Sequence, residues 1–368
     1  MRVALRAALG GVALTILLVA CSVLPSPVHP GDPTPAAQSA PAATAAPAAQ
    51  TSTEPPDTTT TTPARSGARA PDGPLPTVRV APYVDLTTPP LPDLGTLAAE
   101  SGQRDVVLAF VLAGATCTPT WGGTTPVDDP AVRRTVAALK ARGGTPTVSS
   151  GGAVGTYLET RCPDARSLAT AYGKALDAVG TDHLDVDVET DTGRAVSVSR
   201  IADALALLQH ERGTRVTLTV QVQDAATGMT GTAKDLVRAV SDAGVAARVN
   251  LMVMNFPAGG SWSAAMLGAA AASTRTLQAM WPGSEPADVA ARVGVTLMVG
   301  RNDTDATTTV ADAQAVVAGA ERAGYGFVGE WSLLRDNGGC AGADEEQDDC
   351  SGIDQGDWAF THALQRFG

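Results

Sequence analysis

The chain has 368 residues, five cysteines and a net charge of −12. That acidity argues against a nucleic-acid partner and disfavours adhesion to an anionic surface. The composition is also uneven along the chain, so the full length does not belong to one core.

Residues 1–20 are expected to form a lipoprotein signal peptide. Arg2 and Arg6 supply a positive start, and an apolar run broken only by Thr15 follows. At roughly nine residues that run is too short to cross a bilayer as a helix. It ends in Leu18, Val19, Ala20 and Cys21, which resembles a bacterial lipobox. Cys21 is the expected lipidation site, and the protein is expected on the outer face of the bacterial cell membrane, held there by its lipid. Residues 21–76 are dominated by Pro, Ala, Thr and Ser and hold almost no large apolar side chains. Such a segment cannot bury enough surface to offset its ordering entropy and reads as a disordered tether. In polyproline II it would reach on the order of 150 Å at full stretch.

Residues 77–368 suit one large domain. Apolar runs rich in Val, Leu and Met predict strands at 78–86, 105–113, 146–150, 183–189, 215–222, 247–255, 292–300 and 325–332. Helical spacing fills the intervals at 91–100, 130–142, 165–179, 196–212, 232–243, 263–280 and 309–323, and a last helix is expected at 357–366. Eight βα units of this length predict an α/β fold, a (β/α)8 TIM barrel. A doubly wound sheet is the alternative, but no Gly-rich phosphate turn follows the first strand. In a barrel the chemistry sits at the C-terminal ends of the strands.

Cys117, Cys162, Cys340 and Cys350 are an even set in an exported domain, so disulfides are expected. Four cysteines allow three connectivities. Cys340–Cys350 is favoured because it closes a short loop, which leaves Cys117–Cys162. No C-x-x-C spacing marks a zinc site, and neither metal nor cofactor is expected.

The chemistry concentrates on the fourth strand. Asp185, Asp187 and Glu189 occupy alternate positions and so point to one face. The intervening Leu184, Val186 and Val188 suit the helix layer, which turns the acids inward. Neighbouring acids lie with Cα atoms about 6.6 Å apart. At an effective dielectric near 20 such a pair repels by about 2.5 kcal/mol. The set must therefore share protons, and the acid nearest the rim can stay protonated for general acid catalysis. Glu189 is last in the series and has the longest reach. A divalent cation among the carboxylates and a buried structural network are the competing readings; no second cluster of oxygen ligands accompanies the run.

Together with Asp182, these residues form a D-x-x-D-x-D-x-E run that resembles the signature of glycoside hydrolase family 18. Ser149, Gly151 and Gly152 resemble the family's S-x-G-G motif on the third strand. The stretches 250–256, 300–303 and 330–336 resemble the sixth, seventh and eighth strand ends of its bacterial chitinase D-like group. The resemblance covers nearly all of residues 77–368, in order.

It implies a chitinase-like enzyme that cleaves β-1,4-linked N-acetylglucosamine chains by a retaining, substrate-assisted mechanism. Glu189 would be the general acid, Asp187 would orient the substrate's acetamido group, and Asp185 would share the proton of Asp187. Asp182, on the opposite parity, would be structural. Trp331 would form the floor beneath the sugar, or else be a core tryptophan at the barrel mouth. Tyr83 would supply a hydroxyl at the mouth or simply pack there. Trp121 and Trp262 would line further subsites. The sixth strand departs from the family pattern: Met254, Asn255 and Phe256 stand where acetamido contacts are expected, with Asn for Asp and Phe for Tyr. That departure keeps open a carbohydrate-binding lipoprotein of little or no activity, and an endo-β-N-acetylglucosaminidase is a third reading. The partner in each case is an N-acetylglucosamine polysaccharide or oligosaccharide, and the protein is expected to be a monomer.

Overall fold

The computed structural model describes residues 67–87, 89–189, 196–343 and 347–368. The signal and lipidation readings and most of the tether reading fall outside the described residues.

The strands form where the apolar runs predict them: β1 (Tyr83–Asp85), β2 (Val106–Ala113), β3 (Pro146–Gly151), β4 (His183–Asp187), β5 (Arg215–Asp224), β6 (Ala247–Met252), β7 (Val293–Met298) and β8 (Phe327–Trp331). Each pairs in parallel with the next in chain order. A parallel bridge from Val80 to Val328 closes the ring between β8 and the entry to β1. Around it lie α1 (Leu94–Ser101), α2 (Pro130–Ala141), α3 (Ala165–Val179), α4 (Val198–Arg212), α5 (Gly231–Asp242), α6 (Trp262–Met280), α7 (Val310–Ala323) and α8 (Ala359–Leu364).

Helices α1 to α7 each open on an Asp, Ser or Thr whose side chain accepts a first-turn backbone N–H, which satisfies a donor the helix cannot. Helix α8 has no such local cap. Asp336, 24 residues upstream of Phe360, accepts the N–H groups of Phe360 and Thr361 at 3.0 and 2.7 Å. The Arg and Asp that follow Trp331 therefore brace the eighth strand end: buried Arg335 donates to the Val299, Arg301 and Gln347 carbonyls.

The period of two along each strand sorts side chains into two cores. Val216, Leu218 and Val220 of β5 join the large cluster between strands and helices, with Leu184 and Val186 of β4. A second cluster fills one side of the barrel lumen with Val78, Ala81, Tyr83, Val107, Ala109 and Phe327. The opposite side is polar: Ser149, Asp185, Asp187, Thr219, Asn250 and Thr296 are all buried there.

Residues just before the boundary expected at 77 contact the barrel. Ala70 is buried and its N–H donates to Ser284 Oγ at 2.9 Å, while the Gly283 N–H donates to the Ala68 carbonyl. Arg248, deep in the lower lumen, donates to the Pro76 and Val78 carbonyls at 2.8 Å and lies 5.0 Å from the Phe327 ring centroid. Composition alone classed this stretch with the tether; these hydrogen bonds attach it to the barrel.

Both expected disulfides form, Cys117–Cys162 across 45 residues and Cys340–Cys350 across 10. A loop of the first length confers about 4 kcal/mol by restricting the unfolded chain, one of the second about 3 kcal/mol. Replacing Cys117 and Cys162 by serine should therefore lower stability more than replacing Cys340 and Cys350, as read from denaturant unfolding midpoints of the two double variants.

Candidate active site

The acids of β4 point into the lumen as the alternation requires, and hydroxyl groups from three other strands surround the first of them. Asp185 Oδ2 accepts from Tyr83 Oη at 2.9 Å and Ser149 Oγ at 2.7 Å, and its Oδ1 accepts from Thr219 Oγ1 at 2.7 Å. Burial raises the Asp185 pKa to about 6, with the three hydroxyl donors opposing the rise. Asp187 is treated differently. It is 3 % exposed, and its Oδ1 has no hydrogen-bond partner among the described residues. Burial, then the charges of Glu189 and Asp185, push its pKa well above the ordinary carboxylate value. Donors favour an ionised carboxylate and isolation favours a neutral one, so charge settles on Asp185 and a proton on Asp187.

Glu189 lies just beyond the last ladder residue of β4 and is 8 % exposed. Its Oε2 accepts from Gln221 Nε2 at 3.3 Å, and its backbone N–H donates to Tyr157 Oη at 3.2 Å. The cleft above the acids is lined by Asp187, Glu189, Met252, Met254, Asn255 and Asp303, among others. Its aromatic wall is Trp331 stacked on Phe110, ring centroids 5.4 Å apart and 20° between planes, with Tyr83 at 6.0 Å from Trp331. Tyr83 packs in the lumen, and its buried hydroxyl meets Asp185 and Thr219.

The sixth strand end differs from its reading in one residue. Met254 and Asn255 line the cleft. Phe256 does not: it is 2 % exposed and packs on Trp262 with ring centroids 4.7 Å apart. Strand β6 ends at Met252, and Asn255 takes φ +57°, a left-handed conformation that Asn tolerates better than most residues. Period-two alternation therefore stops before Phe256, which turns into the helix layer. Asn255 is committed to the loop after β7: its Nδ2 donates to Asp303 Oδ2 at 2.6 Å and its Oδ1 accepts from the Asp303 N–H at 2.9 Å. The expected subsite tryptophans are likewise elsewhere. Trp121 is buried in a hairpin after β2, and Trp262 donates to Thr308 Oγ1 at 3.0 Å from the start of α6.

Several site residues received no individual role from the sequence. Phe110, Thr219, Gln221 and Thr296 carry no motif and reach the lumen from β2, β5 and β7; Asn250 opens the 250–256 stretch and reaches it from β6. Asn250 Nδ2 donates to Thr219 Oγ1 at 3.1 Å and Thr296 Oγ1 at 2.8 Å, which braces the hydroxyl that holds Asp185. Thr217, Thr219 and Gln221 alternate with Val216, Leu218 and Val220, the one pattern that marked β5 as polar on its inner face. Asp182 lies at the opposite end of the barrel, within 3.3 Å of His183 Nε2 and 3.7 Å of Arg215 Nε, in keeping with a structural role.

The structure is a closed parallel eightfold barrel with a graded acid series at its C-terminal mouth, where barrel enzymes place their chemistry, under an aromatic wall. No family model matches the chain. It is 30% identical over 274 residues to a probable bifunctional chitinase/lysozyme of Escherichia coli (strain K12), covering 70% of this chain and 30% of that protein. It is 29% identical over 275 residues to endochitinase 11 of Metarhizium anisopliae, covering 70% and 52% respectively. The chain thus spans about a third to a half of the length of these curated relatives. The structure of active domain 2 of the thermostable chitinase from Pyrococcus furiosus, solved as catalytic-site mutants with chito-oligosaccharides, superposes with a TM-score of 0.72 at 28% identity over 82% of this chain and 97% of that one. The barrel is thus similar in sequence and in fold to the catalytic domains of chitinases.

Proposed function

We propose that the barrel, a member of the chitinase D-like group, hydrolyses β-1,4-linked N-acetylglucosamine chains with retention of configuration, the substrate's own acetamido carbonyl acting as nucleophile. The observation that carries the reading is the unpaired Asp187 Oδ1, a buried acceptor at the cleft floor between a charged Asp185 and Glu189. A buried acceptor without a donor is costly, and an acetamido N–H supplies one. In this scheme Glu189 protonates the glycosidic oxygen as the bond to the anomeric carbon breaks. Asp187 accepts the acetamido N–H and so aims the carbonyl oxygen at that carbon, giving a cyclic oxazolinium ion. Water then opens the ion, with Glu189 taking its proton. Trp331 forms the apolar floor for the reacting sugar. Met254 offers the acetamido oxygen no hydroxyl, and Asn255 is engaged with Asp303, so donation to that oxygen is the weak part of the machinery.

The test is to incubate the chain with chito-oligosaccharides and follow the products by NMR. The first-formed anomer should be β, and fully deacetylated oligomers of the same length should be inert. Binding without turnover, or equal cleavage of the deacetylated oligomers, would refute the mechanism. The export reading is also a proposal: labelling of the chain by palmitate in a bacterial host should disappear in Cys21→Ser.

A further inference from the structure

The parallel ladder between β3 and β4 is interrupted at the one rung that carries Glu189. Gly151 pairs with Asp187, and the Gly152 N–H donates to the Asp187 carbonyl at 2.8 Å. In an evenly spaced parallel ladder the next bond would run from the Glu189 N–H to the Gly152 carbonyl. A tyrosine hydroxyl stands there instead. Tyr157 Oη accepts the Glu189 N–H at 3.2 Å and donates to the Gly152 carbonyl at 2.5 Å. Its ring is fully buried, and it starts the short helix Leu158–Arg161 beyond β3. The approach of the two strands just before this rung is close: a Cβ on Gly151, at φ +125°, would lie 1.8 Å from the Asp187 carbonyl oxygen.

We infer that Tyr157 is a positioning residue for the acid: its hydroxyl, inserted as a spacer in the β3–β4 ladder, holds the Glu189 backbone off β3 and so sets where the Glu189 carboxyl meets the cleft. The inference rests on the proposed role of Glu189. Its physical content is a displacement. Without the hydroxyl, the Glu189 N–H and the Gly152 carbonyl lose the bridge between them, and direct pairing across the gap restores the ladder bond. Closure completes the ladder and draws Glu189 toward β3.

A misplaced general acid has a chemical signature. A sugar leaving group needs a proton from the enzyme, whereas a dinitrophenolate leaves without one. In Tyr157→Phe, kcat on chito-oligosaccharides should fall about 10- to 100-fold, with KM and kcat on the 2,4-dinitrophenyl glycoside of the N-acetylglucosamine dimer changed by less than about threefold. Tyr172→Phe is the control. It deletes an equally buried hydroxyl, bonded to Glu159, and should show no leaving-group discrimination. A crystal structure of Tyr157→Phe should show the Glu189 N–H bonded directly to the Gly152 carbonyl. Equal losses on both substrates, or Glu189 unmoved, would overturn the inference. Should the wild type cleave neither substrate, the function proposed for the site fails, and the crystal structure of the variant still decides the spacer role. If Tyr157→Phe does not fold, 3,5-difluorotyrosine at position 157 keeps the spacer but weakens its acceptance, and must reproduce the discrimination in smaller measure.

Discussion

Glu189→Gln should lower kcat on chito-oligosaccharides by about 10²–10⁴-fold while leaving substrate binding within a few-fold. Glutamine preserves the size of the side chain and can keep the contact to Gln221, but it has no proton to give to the glycosidic oxygen. The loss should shrink for substrates whose leaving group needs no proton, because their first step no longer depends on the acid. Steady-state kinetics on both substrate types measure this directly. A kcat unchanged by the substitution would remove Glu189 from the mechanism.

Asp187→Asn should separate activity from stability. Activity should fall by about 10²–10³-fold, the range expected when one preorganised transition-state contact is lost. Stability at neutral and alkaline pH should rise. Burial raises Asp187 well above its ordinary value and Asp185 from 3.8 to about 6. A carboxyl whose folded pKa is raised contributes its full stability below the unfolded pKa and loses it as pH climbs through the folded one. For Asp185 that window runs from about pH 4 to about pH 6, and for Asp187 it extends higher. Asparagine cannot ionise, so the gain should be present at pH 8 and absent at pH 4. Each kcal/mol gained lifts Tm by roughly 2–4 °C in a domain of this size. Thermal unfolding of both proteins at the two pH values is the measurement. An equal change at both would assign the effect to packing instead.

Two further buried acids respond in the same direction. Glu159, held by Ser150 Oγ and Tyr172 Oη, is raised by burial, and Glu330 beside Thr361 is raised well above its ordinary value by burial and then by Asp336. Both sit on the helix side of the sheet, outside the cleft. They add to an acid-stable profile without touching the proposed reaction.

The strand–helix alternation, the eight strand positions and the inward face of Asp185, Asp187 and Glu189 were legible because a strand repeats every two residues and a helix every 3.6. Both disulfides were legible for a similarly local reason, since loop length ranks four cysteines. The reasoning failed where that period ended. After Met252 the chain leaves the ladder and Asn255 enters the left-handed region, so parity no longer says which way Phe256 points; it turned to Trp262 instead of the sugar. Other features depend on residues far apart in the chain. Asp336 caps a helix it does not adjoin, Asn250 and Thr296 brace Thr219, and Tyr157 stands in the rung beside Glu189. Asp336 and Asn250 lie in stretches that resemble the family, but nothing local says what they hold; Thr296 and Tyr157 have no motif around them. By itself the sequence determined the barrel and the direction of its acids, through local periodicity. Only the tertiary structure decided how protons divide among those acids and what holds the last one in place, because hydrogen-bond donors and burial come from strands that meet only after the ring closes.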